Sequence, residues 1–415
     1  MEQERYELPN GWEWFPLQEF AYIKGGKRLP KGDVLLETET EYPYIRVSDF
    51  NEQGSIDIST VKYISSDTYQ KIKRYTISNE DLYISIAGTI GKTGFLPSSI
   101  IKANLTENAA KIVFKQKNFA YLKYIYYFTL SNNFSHQIKN STKTVAQPKL
   151  ALSRLAQLQI PIPSYTEQRR IADKLDAVLG RIDDAIRLSQ DNLASLDDLF
   201  ASMLQQAFNP LGKTSKETRY ELPDGWEWKK LSVIAPPSRQ TLLPVSGQQY
   251  NYIGLEHIVP NSAKLTDFSP VDGQTIASTK NIFSRNMVLF GKLRPYLRKV
   301  HVAQFDGIAS TEIIPFQCTA DILPEYLAHF MRSDFFINLA VDNCSGSRMP
   351  RVTTRFLQTL AFIPLPPLPE QRRIADKLDA LSGKIALQKR AIEEKLDELN
   401  HLKSSVLDAA FRGRL

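Results

Sequence analysis

The chain carries the same helix-opening segment twice, and that duplication constrains its fold more than any other feature. EQRRIADKLDA at residues 167–177 returns unchanged at 370–380. Ahead of each copy, YELPNGWEW at 6–14 returns as YELPDGWEW at 220–228, with one substitution in nine. Each half opens on one motif and closes on a helix begun by the other, the mark of a tandem repeat of whole units.

Beyond the repeated segments the hydrophobic period is helical for a long distance. Apolar residues fall at Ile171, Leu175, Val178, Ile182, Ile186, Leu193, Leu196, Phe200, Met203 and Ala207, interrupted once near Ser189. The second helix carries Ile374, Leu378, Leu381, Ile385, Ile392, Leu396, Leu399, Val406 and Ala410. Alternating threes and fours make a heptad seam. Ser164 with Glu167 predicts a capping box, and Pro369 suits a first helical turn. Asn209-Pro210 and Gly413 supply the stops. Some 42 residues at about 1.5 Å each make a rod on the order of 60 Å, more than one globular domain covers. Such a seam needs a partner, and its twin is the obvious one. The 11-residue linker 209–219 reaches at most about 38 Å. A compact second half with neighbouring termini therefore sends its helix back antiparallel to the first.

The segments outside the helices are strand-rich. Asp81-Leu82-Tyr83-Ile84-Ser85-Ile86 and Lys111-Ile112-Val113-Phe114 read as strands, and helices are predicted over 121–130 and 324–332. The expected fold class is α+β: two mixed, strand-rich globular heads separated by two long antiparallel coiled-coil helices, with an internal pseudo-twofold repeat. The boundaries that follow are a first head at 1–165, a helix at 166–209, a linker at 210–219, a second head at 220–368 and a helix at 369–413.

A chain of 415 residues can form two cores. Its 42% hydrophobic and 23% charged residues suit a soluble globular protein. No stretch has the roughly 18 apolar residues of a membrane span, and MEQERYELPN lacks the apolar region of a secretory signal. Cys318 and Cys344 have no partner at CxxC spacing, which argues against zinc and disulfides and for a reducing cytoplasm. His136, His301, His329 and His401 show no ligand or triad spacing, so no metal or cofactor is expected. The net charge of +7, with basic stretches at 24–31, 71–74 and 292–299, points to a polyanionic partner. Two readers on a rigid spacer would suit a split site on duplex DNA, whose turn spans roughly 34–36 Å.

Enzyme motifs fail on inspection. Gly91-Lys92-Thr93 ends like a P-loop, but Ile86 stands where that loop needs its first glycine. Asp224, Glu227 and Lys229 have the residue types of a nuclease metal site but crowd one turn-like segment. Pro236-Pro237 lies in Ala-Pro-Pro-Ser, which is not a methyltransferase tetrapeptide. A coiled-coil adaptor that binds only protein remains the alternative.

The chain resembles the specificity (S) subunit of type I restriction–modification enzymes. The resemblance rests on the LP(N/D)GWEW openings, the strand Tyr44-Ile45-Arg46, the turn Gly88-Thr89-Ile90-Gly91-Lys92, the proline-rich run before each EQRRIA helix and the duplicated layout. It implies two target recognition domains, each reading one half of an asymmetric bipartite double-stranded DNA site. It also implies helices that fix the gap and dock two methyltransferase (M) subunits, with restriction (R) subunits joining the complex. The subunit itself would be non-catalytic and cofactor-free, directing adenine methylation and restriction. One departure stands out: the second head has Lys292-Leu293-Arg294-Pro295-Tyr296 where the first has its glycine turn.

Phosphates are met by cations and hydroxyls, and bases by Arg, Lys, Asn, Gln, Asp and Glu. In the first head the candidates are Lys27, Arg28, Arg46, Ser48, Thr89, Lys92, Lys143 and Thr144. In the second they are Arg239, Gln240, Glu256, His257, Lys292, Arg294, Tyr296, Ser347 and Arg348. All lie in polar segments flanking predicted strands. The pairs Trp12/Trp14 and Trp226/Trp228 recur in both heads and are read as packing anchors.

Overall fold

The computed structural model describes residues 6–116, 118–142, 148–212 and 219–415. The chain divides into two compact units: Met1–Ser189 with Glu394–Leu415, and Gln190–Glu393. Each therefore contains one head, the start of one long helix and the end of the other.

In the first unit, Ala21–Gly25, Ala109–Phe114, Leu82–Ser85 and Thr93–Gly94 form an antiparallel four-stranded sheet in that order. Leu82, Tyr83, Ile84 and Ser85 are all buried, as a short apolar run covered on both faces must be. A second sheet runs Lys62–Tyr63, Pro43–Ile45, Lys102–Leu105, Thr76–Ser78, its middle pair parallel. Phe50 stacks on Tyr83 with centroids 3.9 Å apart and fixes the inner core.

The second unit repeats the plan. Val300–Val302, Val288–Gly291 and Ile313–Phe316 form a three-stranded sheet. Thr241–Leu242, Lys280–Phe283, Gly307–Ala309 and Tyr252–Ile253 form a four-stranded one, the last pair parallel. A hairpin, Cys344–Ser345 with Arg351–Val352, has no counterpart strand pair among the described residues of the first unit.

The long helices span Tyr165–Phe208 and Leu368–Phe411, 44 residues each. At about 1.5 Å per residue each is roughly 66 Å long. Within the first unit Arg170 donates to the Leu415 carbonyl and Lys403 pairs with Asp183 at 2.6 Å. Within the second, Lys389 pairs with Asp197. In the first unit rising numbers on one helix meet falling numbers on the other, and in the second Leu204 and Phe208, beyond Asp197, share a core with Ile374 and Leu378, before Lys389, so the two run antiparallel in each unit. Ser164 Oγ accepts from the Glu167 N–H. The return half of the expected capping box is absent, because the Glu167 carboxylate turns to Arg170. At the other end Gly413 (φ +68°) closes a Schellman turn, Arg414 N–H donating to Ala409 O.

The repeated motifs are a clamp. Tyr6 Oη donates to the Phe411 carbonyl, the last of its helix, and Tyr220 Oη does the same to Phe208. Each helix end leaves orphan carbonyls, and these phenols satisfy one apiece. The Phe411 ring meets Tyr124 and Phe128 edge-on at 5.3 and 5.1 Å. The Phe208 ring meets Tyr326 and Phe330 at 5.2 and 5.4 Å. Trp14 and Trp228 donate their indole N–H to the carbonyls of Tyr6 and Tyr220, so packing is indeed their work. The strand carrying Trp14 pairs with Gln159–Ile162, and that carrying Trp228 with Phe362–Leu365. The glutamine of EQRRIA explains much of that motif. Buried Gln168 donates to Phe119 O and Pro163 O and accepts from Tyr121 N–H. Gln371 repeats all three bonds with Asp321, Pro366 and Leu323. Burial raises the Tyr124 and Tyr326 pKa well above the usual value, so both phenols stay protonated donors to Pro161 and Pro364.

Candidate nucleic-acid interface

In the first unit the candidate residues fall on three turns. Lys27 and Arg28 follow the edge strand Ala21–Gly25. The Lys27 N–H is tied to Leu105 O at 2.8 Å and its ammonium lies 5.6 Å from the Tyr75 ring centre. Arg28 is exposed and pairs with Glu107 at 2.6 Å. Desolvation works to raise the Glu107 pKa, yet bonds from Arg28, its own backbone and Thr106 hold that carboxyl below its usual range.

Arg46 has an internal task. Its Nε and Nη2 grip both oxygens of Asp49, and Nη2 also reaches Thr60 O at 2.7 Å. Asp49 is fully buried, so this fork balances a desolvated carboxylate and fixes the turn Val47–Asp49. Ser48 stays exposed on that turn. Thr89 is exposed on the Gly88–Lys92 turn, where Gly88 (φ +73°) and Gly91 (φ +95°) adopt left-handed conformations. Lys92 pairs with Glu52, and its N–H donates to Ser85 Oγ at 2.9 Å. Lys143 and Thr144 lie outside the described residues.

In the second unit one group of candidates converges. The Lys292 N–H donates to Glu312 O and its carbonyl accepts from Val352 N–H. Leu293 bridges to Arg351, and Arg294 N–H donates to Pro350 O at 2.8 Å. These bonds dock the tip of the Cys344–Val352 hairpin, with exposed Ser347 and Arg348, beside exposed Arg294 and Tyr296. The turn Leu255–His257 joins them, because Lys299 Nζ donates to Leu255 O at 2.6 Å. Glu256 is exposed there, and His257 Nδ1 accepts the Gly254 N–H. Arg239 and Gln240 stand apart, before the edge strand Thr241–Leu242 of the four-stranded sheet, with Gln240 O accepting from Ile282 N–H.

The structure adds residues that sequence reasoning did not single out. Arg298 pairs with Asp334 and donates to Arg332 O. Arg351 pairs with Glu312 at 3.1 Å. Half the charge of the 292–299 run is thus engaged internally, leaving Lys292 and Arg294 with no side-chain partner among the described residues. The density of that run was the available signal. The identity of its counter-charges was not. Glu227 and Lys229, two of the apparent nuclease residues, pair with each other at 2.9 Å.

Each unit thus carries exposed polar turns together with its own copy of the clamp. The family model for the type I restriction modification DNA specificity domain matches residues 9–190 and again 223–398, and the chain belongs to that family. It is 25% identical over 311 residues to the EcoDI specificity subunit of Escherichia coli, covering 70% of this chain and 69% of that one. It is 22% identical over 427 residues to the StySPI specificity subunit of Salmonella potsdam, covering 99% and 90%. A chain solved in work on complex assembly and conformational transition of the type I R-M system superposes with a TM-score of 0.74 at 22% identity, covering 99% of this chain and 100% of that one. The HsdS subunit from Thermoanaerobacter tengcongensis gives 0.55 at 21% identity, each chain fully covered. Both likenesses concern the fold. Among the described residues, no helix is long and apolar enough to cross a membrane.

Proposed function

We propose that this chain is the DNA sequence-specificity subunit of a type I restriction–modification enzyme, each head reading one half of an asymmetric bipartite duplex site. The observation that carries this is an identical clamp bearing unlike faces. Gln168/Gln371, Tyr6/Tyr220 and Phe411/Phe208 repeat bond for bond, while a glycine turn in one head is replaced by Lys292–Lys299 in the other. Duplicated mounting with divergent surfaces suits two readers of different sequences. We take 1–165 and 220–368 as the reading heads, 166–209 and 369–413 as the spacer helices, and 210–219 as their linker.

The proposed contact surface comprises Lys27, Arg28, Ser48, Thr89 and Lys92 in the first head, with Lys143 and Thr144 as further candidates. In the second it comprises Lys292, Arg294, Tyr296, Ser347 and Arg348, flanked by Glu256 and His257, with Arg239 and Gln240 as outlying contacts. Arg46 is left out because its guanidinium serves Asp49.

The spacer helices would also dock two M subunits. Arg169, Asp173 and Lys174 are exposed, and their twins Arg372, Asp376 and Lys377 are exposed as well. Burial explains the repetition of Gln168, Ile171 and Leu175. It does not explain identity at exposed positions, which suits one external partner met twice. Chemistry would then belong to M and R subunits, with this chain non-catalytic. An adaptor without sequence preference accounts for the clamp but leaves the divergent basic faces unexplained.

Methylation mapping of a host expressing this chain with its M subunit tests the reading. A single bipartite motif is expected, with its gap changed or methylation lost when one heptad is removed from both helices. A contiguous motif, or none in the unaltered complex, would contradict it.

A further inference from the structure

The two heads enter the corresponding turn on matching backbone bonds but build it from different residues, Ser85 N–H meeting Lys92 O in one and Gly291 N–H meeting Lys299 O in the other. Ile86 N–H bonds Asn108 O, and Lys292 N–H bonds Glu312 O; Ala87 bridges to Lys149, and Leu293 to Arg351. The next residue on each side is therefore equivalent: Gly88 and Arg294. Both are left-handed, at φ +73° and +52°. Glycine adopts that region freely, whereas an arginine there crowds its Cβ against the backbone. Three other non-glycine residues share the region: Asn261, Asn286 and Arg298. Asparagine tolerates it, and Arg298 is engaged by Asp334 and the Arg332 carbonyl. Arg294 alone among these arginines has no side-chain partner among the described residues.

The fold does not require a side chain at this point. A Cβ placed on Gly88 would meet nothing within 4 Å. Yet the Arg294 backbone is held firmly: its N–H donates to Pro350 O, its carbonyl accepts from Leu297 N–H, and Pro295 behind it is buried. A strained residue kept rigid and exposed, where the sister head uses glycine, marks a function for the side chain.

We propose that Arg294 is a base-reading residue of the second head, presenting its guanidinium fork to the O6 and N7 edge of a guanine in the major groove. The inference rests on the DNA-specificity reading above and names one ligand within it. A phosphate contact would be served by a flexible cation such as Lys292 and would gain little from a fixed left-handed mount. A planar bidentate contact gains from every torsion settled beforehand.

The test uses the full chain bound to its M subunits and duplexes varied one base pair at a time across the methylated motif. Arg294→Gly and Arg294→Lys should each lower discrimination at one G·C pair by about tenfold or more, leaving the other half-site unaltered. The glycine variant should melt no lower than the parent, and the lysine variant should keep the parent's salt dependence. Unchanged discrimination at every position overturns the proposal. It does so whether affinity falls uniformly with a flatter salt slope, as for a phosphate contact, or the chain melts lower, as for a structural role. A parent complex with no sequence preference would overturn both this inference and the broader reading. A parent that keeps its bipartite preference isolates Arg294.

Discussion

The two units clamp their helices identically but brace them differently about two turns further along, and the difference shows what the duplication has preserved. In the first unit Asp176 of the long helix takes Lys123 at 2.5 Å and the phenol of Tyr127. In the second, its twin Asp379 takes His329 Nε2 at 2.8 Å, while His329 Nδ1 accepts from Arg332 at 2.7 Å. The first brace is partly solvated. In the second, His329 and Arg332 are buried at 1% and 3% exposed, while Asp379 itself stays open to solvent. The clamp has kept its atoms, whereas the brace has kept only its carboxylate. Positions that bond the backbone of the opposite element leave no room for substitution; side chain to side chain positions do.

The largest effects should come from emptying the clamp. Phe208→Ala and Phe411→Ala each remove a fully enclosed ring and should cost about 3–5 kcal/mol, in one unit each. Denaturant unfolding with separate probes in the two heads would check this. Equal loss in both units from one substitution would break the idea of two independent clamps. Tyr6→Phe and Tyr220→Phe remove only the bond to the helix-end carbonyl and should cost about 1 kcal/mol, nearly equal for the two. A large inequality would show that the clamps are alike in geometry but not in energy.

The subtlest contrast concerns pH. Burial pushes the His329 pKa below its ordinary value, with the Asp379 bond opposing. The geometry agrees, since a proton on Nδ1 would face the Arg332 guanidinium. Burial lowers the Arg332 pKa to about 10, so it remains a cation at neutrality. The unfolded chain therefore binds a proton near pH 6.5 that the folded unit resists, and stability falls as pH drops below that value. His301, whose pKa burial also lowers, adds in the same direction. Near pH 6 only the onset is sampled, so the signal is small. Melting of the second unit between pH 7.5 and 5.5 should fall more for the parent than for His329→Tyr, which installs the residue of the first brace. Identical pH profiles would remove His329 from the account.

The helices, their polarity and the strand-rich heads were legible because period and duplication are local or exact signals. The seam was legible only in part. Leu179, Leu204, Phe208, Leu407 and Phe411 are buried outside the a/d stripe, because helix ends face a head as well as a partner helix. Leu193, Leu196, Phe200, Ile392, Leu396 and Leu399 lie on the stripe yet are only half-buried, since a two-helix contact covers a narrow face. The candidate surface was less legible still. Lys92 is balanced by Glu52 and Arg28 by Glu107, residues 40 and 79 positions away. Arg46 shows the limit in its simplest form: its partner Asp49 is three residues off, but nothing in a polar tetrapeptide announces that the carboxylate is fully buried.

The most direct measurement exchanges one head. Residues 220–367 are replaced by those of a relative with a different methylation motif, and the host methylome is mapped with the same M subunit. If two readers share one mount, one half-site changes while the other half-site and the gap stay as they were. A motif altered in both halves would contradict the account.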